Sequence, residues 1–179
     1  QEDIAAWARG TAADVDLIYS NAALQWLPDH ERLFGGLARR VAPGGVLAVQ
    51  MPDNYDRPSH TAITEILDER WPDIEVDYAR VRRLAPPEDY LAWLEADGCL
   101  VDCWKTEYLH ILSGPDPVVA WTRGSALGPV LAALPKAAHA PFLDDYAARL
   151  ARAYPPLADG RTLFPFRRLF LLARRRTGG

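Results

Sequence analysis

Two short stretches hold the residues best suited to gripping a small molecule. Asn21-Ala22-Ala23-Leu24-Gln25-Trp26 and Pro52-Asp53-Asn54-Tyr55 each set hydrogen-bonding groups beside an aromatic ring. That combination suits a small organic cofactor or substrate better than a phosphate or a polymer. Asn21 and Asp53 are equally the residue types that close turns and cap helices, so residue type alone leaves both roles open. Metal and thiol chemistry find less support. His30, His60, His110 and His139 stand far apart, without the spacing of a metal-binding helix. Cys99 and Cys103 are too few for a disulfide framework and lack the second pair of a zinc site. The expectation is two reduced, buried thiols and no metal.

The elements around these stretches explain why they matter. Val15 to Ser20 is a short apolar run that reads as a buried strand. From Pro28 to Val41, Leu33, Phe34, Leu37 and Val41 recur at helical spacing, with Asp29 and Glu31 early and Arg39 and Arg40 late, as a helix dipole favours. Pro43-Gly44-Gly45 is expected to break the chain before a second apolar run, Val46 to Met51. Strand, helix, turn and strand make one crossover unit of a parallel sheet. Ligands of such sheets bind at the carboxyl ends of the strands, which is where both stretches fall.

Further along, helices are predicted from Pro58 to Trp71 and from Pro86 onward, with Gly98 placed to cap the second. Residues 99–112 read as a strand. A helical block follows from about Pro115 to Tyr154, interrupted at Gly124, Gly128 and Pro135, in which Phe142, Tyr146 and Leu150 repeat every fourth residue as a core stripe. Thr162 to Ala173 reads as a last strand. Arg174-Arg175-Arg176 is expected to be a solvated charge run.

The 179 residues fit one domain, and with 49% apolar and 25% charged residues they can build a packed core. Net charge is −4, so an anionic ligand must find a local basic pocket, and nucleic acid and anionic membranes are not the expected partners. Neither a membrane-spanning run nor a leader is visible in the sequence. The expected location is cytoplasmic.

Asn21-Ala22-Ala23-Leu24-Gln25-Trp26-Leu27-Pro28-Asp29-His30 and Gly45-Val46-Leu47-Ala48-Val49-Gln50-Met51-Pro52-Asp53-Asn54 resemble the trans-aconitate 2-methyltransferases, class I S-adenosylmethionine-dependent enzymes. The resemblance continues through Trp104-Lys105-Thr106-Glu107-Tyr108-Leu109-His110 and Phe164-Pro165-Phe166-Arg167-Arg168-Leu169-Phe170. It implies an α/β fold, the C-terminal part of a Rossmann-like class I methyltransferase sheet of parallel strands with an antiparallel final strand. Residues 1–179 would be a single partial methyltransferase domain, with residues 115–155 as a helical cap over the substrate. It also implies a Gly-rich turn and an acidic ribose-binding residue ahead of Gln1, so the sequence is expected to be part of a longer enzyme. The strand at Val15–Ser20 would then expose a backbone edge, expected to be covered by another chain, as in a homo-oligomer, or by a rearranged segment.

The implied reaction is methyl transfer from S-adenosylmethionine to a carboxylate of trans-aconitate. Carboxylates are ionised near neutral pH, so no general base and no catalytic side chain is assigned. Proximity does the work, holding the oxygen about 3 Å from the methyl carbon. The resemblance assigns the cofactor to Asp3, Ile4, Asn21, Ala22, Gln25 and Trp26, with Asp3 and Ile4 at the adenine and Gln25 and Trp26 opening the helix that walls the site. Charge is neutralised on the way to the transition state, so arginines should grip the two carboxylates that do not react. Arg57, Arg82, Arg83, Arg123, Arg161, Arg167 and Arg168 are the candidates, Arg123 and Arg167 the leading two. Asn54, Tyr78, Tyr108 and His110 could add neutral contacts. Two other readings stay open, a methyltransferase for another small acid and a noncatalytic binding or oligomerising module.

Overall fold

The computed structural model describes residues 2–10, 15–76 and 84–177. Tyr78, Arg82 and Arg83 lie outside the described residues. The chain divides into two compact units. The first comprises Gln1–Pro52, Arg83–Thr106 and Arg168–Gly179, and the second Asp53–Arg82 and Glu107–Arg167.

In the first unit, helix α1 (Ile4–Arg9) precedes strand β1 (Val15–Asn21), helix α2 (His30–Arg40) and strand β2 (Val41–Pro52). Helix α4 (Pro87–Ala96) leads into strand β3 (Cys99–Leu112), and strand β4 (Thr162–Arg175) is the last element in sequence. The sheet order is β1-β2-β4-β3, with β1 parallel and β4 antiparallel to β2. The expected mixed sheet with an antiparallel final strand is therefore present.

Register explains the alternation in the sequence. Ile18 pairs with Leu47, which pairs with Ala173, while Val49 pairs with Leu171 and Met51 with Leu169. These residues share one face and pack with Phe34 and Leu37 of α2 and Tyr90 and Leu94 of α4, each fully buried side chain contributing roughly 1.5–3 kcal/mol. Leu17, Tyr19 and Leu172 lie at alternate positions and are exposed, Tyr19 at 72%. β1 forms the sheet edge.

Two local expectations are corrected. Pro43-Gly44-Gly45 does not separate α2 from the strand, because β2 begins at Val41 directly after the helix. Val15 pairs with Val41 and Leu17 with Val46, so the tripeptide is absorbed as an irregularity in the ladder. Gly45 is needed there, since a Cβ would lie 2.8 Å from the Asp16 carbonyl. Gly36 similarly lets α2 approach α1, where a Cβ would stand 2.8 Å from the Ala8 carbonyl. Secondly, Leu24–Trp26 is a separate 3-10 turn, and α2 starts only at His30 after Asp29 adopts a left-handed conformation.

The second unit contains helices α3 (Pro58–Arg70), α5 (Pro117–Arg123), α6 (Leu127–Ala133) and α7 (Lys136–Ala153), with the remaining parts of β3 and β4. Gly128 sits within α6 instead of interrupting the block. The predicted stripe is core: Phe142, Tyr146 and Leu150 are buried with Ile63, Ile66 and Phe164. The Tyr146 hydroxyl donates to the Ser59 carbonyl at 2.7 Å and lies 3.2 Å from Thr122 Oγ1, tying α7 to α3 and α5. Arg149 of α7 reaches Glu65 and Glu69 of α3. No helix among the described residues is long and apolar enough to cross a membrane, and no metal-binding cluster occurs among them.

Candidate functional site

In the first unit, the carboxyl end of β1 opens onto a cavity of about 320 Å³, at the lower end of the roughly 300–1,000 Å³ range of small-molecule sites. Ile4 and Trp7 of α1, Ser20 and Asn21 of β1, and Leu24 of the following turn line it. β1 stops there because Ala22 turns into positive φ while its N–H still donates to the Gln50 carbonyl. The lining is mostly apolar, with Glu2, Ser20 and Asn21 as polar residues. Ser20 Oγ is buried without a hydrogen bond among the described residues, as is Oε1 of buried Gln25 nearby in the chain. Unmade hydrogen bonds of buried groups are costly, and a polar ligand in the cavity would relieve the one at Ser20.

Of the residues expected at a cofactor, Ile4 and Asn21 line this cavity, whereas Asp3, Ala22, Gln25 and Trp26 are not among its lining. Asp3 caps α1, its Oδ1 accepting from Ala6 N–H at 2.7 Å. Trp26 is exposed. Sequence reasoning missed Trp7 and Ser20. The i, i+3 spacing of Ile4 and Trp7 places both on one helix face and was the available signal for Trp7.

The loop that follows β2 belongs to the second unit and is locked to β4. Asn54 is 1% exposed. Its Nδ2 donates to the Arg167 carbonyl at 2.9 Å and its Oδ1 accepts from Arg167 N–H at 2.8 Å. Asp53 N–H donates to the same carbonyl. The Arg167 side chain returns to the loop, its Nε donating to the Asp53 carbonyl and carboxylate at 2.9 and 3.0 Å and its Nη2 to Asp56 at 2.6 Å. That hydrogen bond holds the Asp56 carboxyl below its ordinary range. Asn54 and Arg167 thus clamp the loop, with their principal polar groups engaged inside the protein.

The same loop presents Tyr55, packed edge-on to His60 at 5.2 Å. Burial, then the Asp53 charge, pushes the Tyr55 phenol up to about 12. Burial also pushes His60 down to about 4, against the pull of Asp56, so its ring is neutral at pH 7. His60 Nδ1 lies 3.1 Å from Ser59 Oγ.

Other arginine candidates are also engaged: Arg57 with Glu107 at 2.6 Å, Arg161 with Asp159, and, in the first unit, Arg168 with Gln50. Arg123, the last residue of α5, is exposed and makes no ion pair among the described residues. Tyr108 and His110 come together on β3, their rings stacked at 6.1 Å, and His110 also meets Trp121 at 4.5 Å and Phe166 at 5.8 Å.

The family model for a methyltransferase domain matches residues 7–49. The chain is 51% identical over 164 residues to the trans-aconitate 2-methyltransferase of Methylobacterium nodulans, covering 89% of this chain and 63% of that protein. It is 43% identical over 177 residues to that of Paracidovorax citrulli, covering 98% and 68%. The chain therefore spans about two thirds of the length of these curated relatives. Among solved structures, the YcgJ protein of Bacillus subtilis matches with a TM-score of 0.55 at 12% identity, covering 96% of this chain and 69% of that one, a likeness of fold. With this identity running through nearly every described element, the chain belongs to the trans-aconitate 2-methyltransferase family.

Proposed function

We propose that this chain carries part of an S-adenosylmethionine-dependent methyltransferase that esterifies a carboxylate of trans-aconitate. The observation that carries the reading is the 43% identity to a trans-aconitate 2-methyltransferase across 98% of the chain. The cavity at the end of β1 fits one side of such a cofactor, with an apolar wall from Ile4 and Trp7 and the orphan Ser20 hydroxyl beside Asn21. S-adenosylmethionine, when bound, supplies a methyl group as an electrophile on a sulfonium. Ile4 and Asn21, which line the cavity, would hold it, and the family resemblance adds the neighbouring positions Asp3, Ala22, Gln25 and Trp26.

The acceptor's carboxylate is ionised at neutral pH, so no residue of the chain has to remove a proton. The work left to the protein is orientation. Arg123, which makes no ion pair among the described residues, is assigned to a carboxylate that does not react, and Tyr108 and His110 to neutral contacts. Asn54 and Arg167 act by fixing the loop after β2, so their effect on substrate is through its position.

The test is methyl transfer by the purified chain to trans-aconitate, with the monomethyl ester detected by mass spectrometry, alongside calorimetric titration with S-adenosylhomocysteine. Ester formation abolished by Arg123→Ala supports the assignment. Turnover of other di- or tricarboxylates in preference to trans-aconitate replaces the substrate, and absence of S-adenosylhomocysteine binding favours a noncatalytic module.

The exposed edge of β1 supports a second proposal, a homo-oligomer in which two copies of β1 pair across a two-fold axis, because such an edge is its own complement. Light scattering of the chain and of a Tyr19→Lys variant tests it. A parent chain that is monomeric at all concentrations rejects it. The protein is assigned to the cytoplasm, to be checked by fractionation.

A further inference from the structure

The segment that leads from β1 into α2 is held in a costly backbone conformation. Ala22 and Asp29, neither of them glycine, both take positive φ, at 51° and 56°, and between them lies the 3-10 turn Leu24–Trp26. Such residues persist only where the surroundings fix them, and they gather at binding sites. Asn21, Ala23 and Leu24 of this stretch line the cavity at the end of β1, so whatever fixes the stretch also shapes that cavity.

The His30 imidazole reaches that turn. Its Nε2 lies 3.1 Å from the Leu24 carbonyl and its Nδ1 2.5 Å from the Tyr90 hydroxyl. A carbonyl only accepts, so Nε2 carries the ring proton; Nδ1 of the neutral ring is then an acceptor, and the Tyr90 O–H donates to it. The same phenol oxygen accepts from Ala85 N–H at 3.3 Å. Amide, phenol, imidazole and carbonyl thus point their hydrogen bonds one way, and bonds in such a series strengthen one another. The far end of the series is firm. Tyr90 of α4 is fully buried, and Phe34 packs 4.8 Å from its ring and 5.5 Å from the imidazole. At the near end Leu24 is buried too, and its carbonyl also accepts from Leu27 N–H at 3.0 Å, which closes the turn.

We propose that His30 is a positioning residue, its imidazole fastening the Leu24 turn to α4 through Tyr90 and so holding the cofactor cavity in its binding shape. His30 is not among the residues that line the cavity, and it acts through Leu24. This rests on the reading of that cavity as part of the S-adenosylmethionine site. The ε nitrogen is the half of the ring that matters most, because it touches the turn, while the δ nitrogen orients the ring.

The test is calorimetric titration of the full chain with S-adenosylhomocysteine, for the parent, His30→Asn and His30→Gln. Asn sets an amide oxygen at the δ position and can still accept from Tyr90, but it has nothing to offer Leu24; Gln sets an amide nitrogen at the ε position and can donate to the Leu24 carbonyl. His30→Asn is expected to bind about tenfold more weakly than the parent, equivalent to ~1.4 kcal/mol, and His30→Gln within about threefold of it. A residue that only fills space would not rank the two amides in this order. Should either variant not fold, the imidazole nitrogen resonances of the parent answer instead: an Nε2–H tautomer at His30 whose proton exchanges more slowly once S-adenosylhomocysteine is bound. A parent that binds while His30→Gln binds no better than His30→Asn, an Nδ1–H tautomer, or an exchange rate that the ligand leaves unchanged overturns the inference and leaves the cofactor reading intact. A parent that does not bind overturns that reading, and the inference with it.

Discussion

Asn54 separates a clamp from a substrate contact. Its amide makes two hydrogen bonds to the backbone of a single residue, Arg167, from a position that is 1% exposed. Asn54→Ala removes both. The Arg167 carbonyl keeps the Asp53 N–H, but the Arg167 N–H is left without an acceptor, a cost of ~1–3 kcal/mol, and the lost volume brings the total to about 2–4 kcal/mol. Asn54→Asp is nearly isosteric and keeps the acceptor, while setting a second oxygen against the Arg167 carbonyl where Nδ2 stood at 2.9 Å. The introduced carboxyl therefore prefers its protonated form, which can still donate, and its folded pKa rises above the unfolded value near 4. A raised folded pKa means that stability is fully retained below the unfolded value and lost as pH rises through the folded one. The deficit of Asn54→Asp should thus be small near pH 4 and grow to ~3 kcal/mol or more by pH 7. Urea denaturation across that range, with amide exchange at Arg167 as the local probe, measures it. A pH-independent deficit, or an Asn54→Ala protein as stable as the parent with only a raised KM, would refute the clamp.

Three further outcomes follow from the same contacts. Tyr146→Phe removes the hydroxyl that serves the buried Ser59 carbonyl at 2.7 Å and should cost ~1–3 kcal/mol in denaturant melts; an unchanged midpoint contradicts the network. His60 has a folded pKa of about 4 against 6.5, so its stabilising neutrality is present above 6.5 and is lost as pH falls toward 4. Two and a half pH units at about 1.4 kcal/mol each cap that loss at ~3 kcal/mol, and His60→Gln should flatten the dependence in this window. Burial, reinforced at Cys99 by Asp97, raises the pKa of both thiols. Iodoacetamide at pH 8 should label them fully only after denaturation, and stoichiometric labelling of the folded chain within minutes would contradict this.

What the residues by themselves determined is the succession of elements and the faces they bury. Apolar spacing placed α2, α3, α4 and the Phe142-Tyr146-Leu150 stripe, because a helix or strand repeats its buried face at a short, fixed interval. Gly98, at φ +82°, ends the α4 region as expected. The family resemblance lay in continuous runs, legible for the same reason. Partnership was not legible. Asn54 and Arg167 carry the groups of a substrate grip, but they find each other across 113 positions, and nothing local to either residue records that distance. Pro43-Gly44-Gly45 has the composition of a break, and only the pairing of β1 with β2 made it an irregularity inside a strand. Which candidate arginines form ion pairs among the described residues, and which buried hydroxyl lacks a partner there, are questions of what else lies within about 3–4 Å, and folding alone brings distant carboxylates and carbonyls to that range.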